Sequence, residues 1–118
     1  MGSLAVVKAV GKEPGQTLTV TDATALTIPN GENAFFITAS GVATLPSLSS
    51  RHQPGRVIKL VGANGTGIIT VTDTAEASAA QGTISLSGGN LPLDDSDTLV
   101  LQQRTSGGWF QVEYTAFG

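Results

Sequence analysis

Few side chains in this sequence could carry chemistry. His52 is the one histidine, and Ser49, Ser50 and Arg51 precede it. A histidine beside serines is the raw material of a nucleophile with its general base. No Gly-x-Ser-x-Gly turn surrounds either serine, and the plainer reading is an exposed loop histidine. Asp94, Asp95 and Asp97 form the densest acidic group. Carboxylates that close together offer the hard oxygen ligands that calcium takes. The ligand order of an EF-hand and its closing glutamate are missing. The competing reading is a turn whose aspartates accept from nearby backbone N–H groups. Arg51, Arg56 and Arg104 either pair with carboxylates across an interface or stand solvated. Asn64-Gly65-Thr66 fits a glycosylation acceptor but reads better as a turn, and Gly62, Gly65 and Gly67 lack the lysine and the helix of a phosphate loop. With no cysteine, disulfides, thiolate metal ligands and cysteine nucleophiles are excluded. The expectation is therefore no enzyme, with no catalytic, cofactor-binding or metal site and no cofactor.

The elements that position these residues follow from composition and period. The 118 residues suit one domain. Lys and Arg number only 6 against 9 Asp and Glu, a net charge of −3, which leaves no electrostatic footprint for nucleic acid. Apolar runs are too short for membrane insertion by a helix, and no charged n-region with an apolar h-region opens the chain. Charged residues make up 13% and hydrophobic residues 40%, too apolar for disorder. Glycine occurs 15 times and threonine equally often, which favours strands and turns over helices.

Apolar and polar residues alternate with period two along most of the chain. Leu18-Thr19-Val20-Thr21, Leu26-Thr27-Ile28, Ala34 to Ala39, Val42 to Leu45, Arg56 to Val61, Ile69 to Thr72, Thr83 to Leu86, Thr98 to Gln102 and Trp109 to Tyr114 all read as strands. Residues 47–55 read as a loop. Pro92 makes Leu91-Pro92-Leu93 an edge or a corner. The Asn64-Gly65 pair predicts a hairpin over Arg56 to Thr72, and Ala75 to Gln81 is either one helical turn or a surface loop. The pattern predicts an all-β, antiparallel β-sandwich or β-barrel of about eight short strands. Its expected core is Ile58, Leu60, Ile69, Val71, Leu99, Leu101, Phe110 and Val112. Residues 14–118 form a single β domain, and residues 1–13 are an N-terminal arm or a first strand. Trp109 faces opposite to Phe110, which puts it on an outer face, in a second core or in an interface. Leu4, Val6, Val7, Val10, Trp109 and Phe117 are the candidate interface residues.

The order of these signals resembles a known group. Ala43-Thr44-Leu45-Pro46, Gly55-Arg56-Val57-Ile58-Lys59-Leu60-Val61 and Ile69-Thr70-Val71-Thr72 are followed by Gly82-Thr83-Ile84-Ser85-Leu86. Asp97-Thr98-Leu99-Val100-Leu101 and Gly108-Trp109-Phe110-Gln111-Val112 complete the series. Together they are similar to small all-β virion modules of tailed bacteriophages: capsid decoration, head-fibre and tail-fibre proteins. The resemblance spans about two-thirds of the chain. It implies a homotrimer located on the virion, at the capsid exterior or in a fibre. Its implied partners are copies of itself, the major capsid protein or other virion proteins, and in the fibre role a host surface glycan. A capsid decoration protein that binds the outer shell and stabilises it is the expected function. A tail-fibre or head-fibre module for host-surface binding is the alternative, with loops such as 47–55 or 88–90 as its contact tip.

Overall fold

The computed structural model describes residues 14–63, 68–74 and 81–116, all as strands, turns and irregular chain with no helix. The helical-turn alternative at 75–81 and the arm at 1–13 fall wholly or mostly outside these residues. Among these residues eleven short strands are formed. They are β1 (Thr17–Thr19), β2 (Leu26–Thr27), β3 (Ala34–Thr38), β4 (Val42–Leu45), β5 (Leu48–Ser49) and β6 (Val57–Gly62), followed by β7 (Ile68–Val71), β8 (Ile84–Ser85), β9 (Leu91–Pro92), β10 (Thr98–Gln103) and β11 (Trp109–Thr115). They assemble as a six-stranded sheet in the order β1-β3-β6-β10-β11-β8, a pair β2-β5 and a three-stranded sheet β4-β7-β9.

The all-β expectation holds, but the antiparallel sandwich or barrel does not. β1, β3 and β6 stack in parallel, as do β2 with β5 and β4 with β7. The chain thus winds in successive turns, each laying its strands on those of the turn before, in a solenoid-like arrangement. Where the first turn lacks a strand beneath β4, Asp22 substitutes for one. Its Oδ1 accepts the Thr44 N–H at 2.8 Å, and Ala23 N–H donates to Thr44 O at 2.9 Å. The antiparallel ladders are those of β10 with β6 and β11 and of β9 with β7, and one isolated antiparallel bridge joins Ser47 to Thr83.

The hairpin expected over 56–72 is absent. β6 pairs with β3 and β10, whereas β7 pairs with β4 and β9. The chain instead turns a corner from one sheet to another, and Gly62 sits where it begins. A Cβ there would collide with the Asp94 carbonyl, so close approach of two backbones demands glycine. Residues 64–67, with the Asn-Gly pair, lie outside the described residues. Residues 47–55 are not loop throughout, because β5 pairs with β2.

The core lies between the three sheets. Phe35, Ile37, Leu45, Ile58, Leu60, Ile69, Val71, Ile84, Leu93, Leu99, Leu101 and Trp109 are all essentially without exposed surface. Of the expected core, Phe110 and Val112 are corrected. Both are only partly buried and stand outside the core cluster. The cause is a β-bulge. Val100 lies opposite Glu113 but Leu101 lies opposite Gln111, which leaves Val112 unmatched. A bulge flips the side-chain parity of one strand. Trp109, opposite Gln103, and Tyr114, opposite Leu99, therefore both reach the core side.

Candidate functional site

His52, its neighbouring serines and the three aspartates do not converge on one site. His52 is exposed within an exposed stretch, 51–55, and Ser49 is exposed on β5. The three aspartates adopt the turn reading. Asp97 is buried, its Oδ2 accepts the Asp94 N–H at 2.9 Å, and Asp97 N–H donates to Asp94 O at 2.9 Å. The Tyr114 hydroxyl sits above this turn. It donates to Pro92 O at 2.6 Å and lies 3.3 Å from Asp97 Oδ2. Burial and then the Asp97 charge raise the Tyr114 pKa from 10.0, because both disfavour the phenolate. Among the described residues no group of three His, Asp or Glu side chains is placed to hold a metal.

Arg56 is half-buried and bonds to backbone and amide oxygens, with no carboxylate partner among the described residues. Its Nη2 donates to Pro29 O and to Glu32 O, both at 2.8 Å, and Nε donates to Asn33 Oδ1 at 3.2 Å. A planar guanidinium reaches several acceptors at once, so one side chain clamps the 29–33 turn onto the start of β6. Desolvation lowers its pKa from the ordinary arginine value. Arg104 lies over the Phe110 ring, 4.8 Å from its centre, within the range of a cation–π contact.

Trp109 is corrected as an interface residue. It has no exposed surface and packs in the core. Leu4, Val6, Val7, Val10 and Phe117 lie outside the described residues. A different apolar surface is open instead. Val42 and Ile68 are 78% and 53% exposed, and they face each other in register across β4 and β7. The next row of this sheet places Thr44 beside Thr70 and Thr70 beside Pro92. The inward parity of the same strands carries the buried Ala43, Leu45, Ile69, Val71 and Leu91. The outward face of β4-β7-β9 is therefore Val, Ile, Thr, Thr and Pro, with no charged side chain among them. Exposed apolar residues standing together in this way mark contact surfaces. Sequence reasoning missed the pair, although a signal existed: each is an apolar residue on the solvent-facing parity, immediately before an apolar residue of the core parity.

The sheet edges, by contrast, are poor contact sites. β1 has three residues, β2, β5, β8 and β9 have two each, and the four-residue edge β4 is partly covered by Asp22 and Ala23, which bond to Thr44. Such short edges give a foreign strand few backbone groups to pair with. The arrangement offers a stable scaffold with one uncharged apolar face and no converged reactive groups among the described residues. No protein-family model matches this chain, and searches of curated proteins and of solved structures likewise return no match.

Proposed function

We propose that this protein is a structural component of a tailed-phage virion, a homotrimer that binds the outer capsid surface and stabilises the shell. The observation that carries the reading is the uncharged β4-β7-β9 face with its exposed pair Val42 and Ile68. Association through such a face removes apolar surface from water in every protomer. The resemblance of the sequence to small phage virion modules supplies the partner and the trimeric state. The mechanism is binding energy alone. A protein that binds the assembled shell and not its separated subunits stabilises the shell by mass action.

The test compares particles with and without this protein. Each set is heated and osmotically shocked, then assayed for adsorption to cells. Loss of shell robustness with normal adsorption is the expected result. Normal robustness with lost adsorption overturns decoration in favour of the fibre reading. The exposed 51–55 stretch is the feature that favours this second reading, since it gives a fibre an accessible tip.

A further inference from the structure

A cleft of 270 Å³ opens beside β8 and β11, and Phe110 and Arg104 form part of its wall. Among the described residues Asp73, Ser85, Ser87 and Gln111 add to its polar lining. Two of these side chains are held in place by the backbone. Asp73 Oδ1 accepts the Leu86 N–H at 2.7 Å, and Gln111 Oε1 accepts the Ser87 N–H at 3.0 Å. Asp73 is further fixed through its own N–H, which donates to Asn90 Oδ1 at 2.7 Å. Each therefore has one polar atom committed and one left over. Asp73 Oδ2, Gln111 Nε2 and the hydroxyls of Ser85 and Ser87 have no hydrogen-bond partner among the described residues.

This wall states what it would accept. An oriented carboxylate oxygen takes hydroxyl donors, an oriented amide NH2 gives to hydroxyl acceptors, and serine hydroxyls do both. Phe110 is partly exposed and adds an apolar ring beside them. A purely apolar ligand would strand the polar atoms without water or partner, which is costly. Asp73 and Arg104 both stand at the wall, so a charged ligand of either sign meets one attractive and one repulsive neighbour there. We infer that the cleft binds a neutral sugar residue, its hydroxyls held by Asp73, Gln111, Ser85 and Ser87 and an apolar face of its ring set against the part of Phe110 that Arg104 leaves open. Fixing the polar atoms in advance lowers the ordering cost of binding. The site is separate from the β4-β7-β9 face and independent of the assembly proposal.

The experiment titrates the full chain with neutral disaccharides of glucose, galactose and mannose, and in parallel with galacturonic acid. Amide resonances of residues 85–87 and 109–111 and calorimetry are the readouts. Binding of at least one neutral sugar with Kd on the order of 1 mM is expected. Asp73→Asn keeps an oxygen for the Leu86 N–H and replaces only the free one. It and Phe110→Ala should each weaken binding about tenfold or more with no change in oligomer mass. The inference is overturned if no neutral sugar shifts those resonances at about 50 mM, well above the expected Kd. It is also overturned if galacturonic acid binds more tightly than every neutral sugar, or if both variants bind as the wild type does. Trimer mass measured on the same samples reports on the assembly reading separately.

Discussion

Replacing Val42 and Ile68 together by threonine separates the assembly face from the fold. The two residues are 78% and 53% exposed, so neither holds the single chain together. Threonine keeps the branched Cβ that suits a strand. What changes is the surface available to a partner. Full burial of a valine or isoleucine is worth about 1.5–3 kcal/mol. Scaled by the exposed fractions of 78% and 53%, covering the pair yields about 2–4 kcal/mol per protomer. Threonine forfeits a large share of this and adds a hydroxyl that must be desolvated. Three protomers lose together, so the expected loss is about 4 kcal/mol or more per trimer, a weakening of about a thousandfold or more. Sedimentation equilibrium across a concentration series reads it directly. The monomer's own urea stability should stay within about 1 kcal/mol of wild type. A wild-type chain that remains monomeric at about 100 μM would refute the reasoning, since association at that concentration requires only about 5.5 kcal/mol. So would a double variant that assembles as strongly as its parent.

Three further outcomes follow from the fold. Gly62→Ala should cost about 3 kcal/mol or more, because the new methyl meets the Asp94 carbonyl and Gly62 N–H donates to Asp97 O at 2.8 Å; urea denaturation measures it. Arg56→Lys should cost about 1–3 kcal/mol, since an ammonium cannot reach Pro29 O, Glu32 O and Asn33 Oδ1 together in the guanidinium's fork; the same assay applies, and an unchanged midpoint would contradict the clamp. The raised Tyr114 pKa means the folded chain holds this proton more tightly than the unfolded one. Its stabilising contribution is thus complete below about pH 10 and fades as pH rises through the folded value. Tyr114→Phe should therefore lose less stability than wild type between about pH 9 and about pH 11.

The strands were legible because burial on one face imposes a period of two. Phe35 and Ile37, Ala43 and Leu45, Ile58 and Leu60, Ile69 and Val71, and Leu99 and Leu101 alternate as read, and all are buried. Pairing was not legible. Thr17 stands beside Phe36, and Phe36 beside Val61. The two steps along the chain are unequal, so no fixed repeat announces the winding. The Asn-Gly signal at 64–65 favoured a hairpin on local grounds, but β6 and β7 each find partners among distant strands. Trp109 and Phe110 were assigned to the wrong sides for a different reason. Parity counted back from Tyr114 crosses the bulge at Val112, and a bulge leaves no mark in composition. At the candidate face, Val42 and Ile68 were visible as apolar residues out of phase, but only the known pairing of β4 with β7 makes them one surface.

The antiparallel pair β10-β11 also bears on the chain's life before it is complete. β6, with six residues, is one of the longer strands, and β10 is the partner that covers its far side. On the ribosome that partner emerges well after β6 itself. Until then Val57–Gly62 offers a long, alternating apolar edge to any neighbour, the kind of template on which chains add to one another. Nascent copies close together on one message are therefore the population most exposed to mispairing. A product cut short before Thr98 keeps that edge permanently. Such fragments should collect as insoluble aggregates, and chaperones that shield strands should matter most in the interval before the closing pair is released.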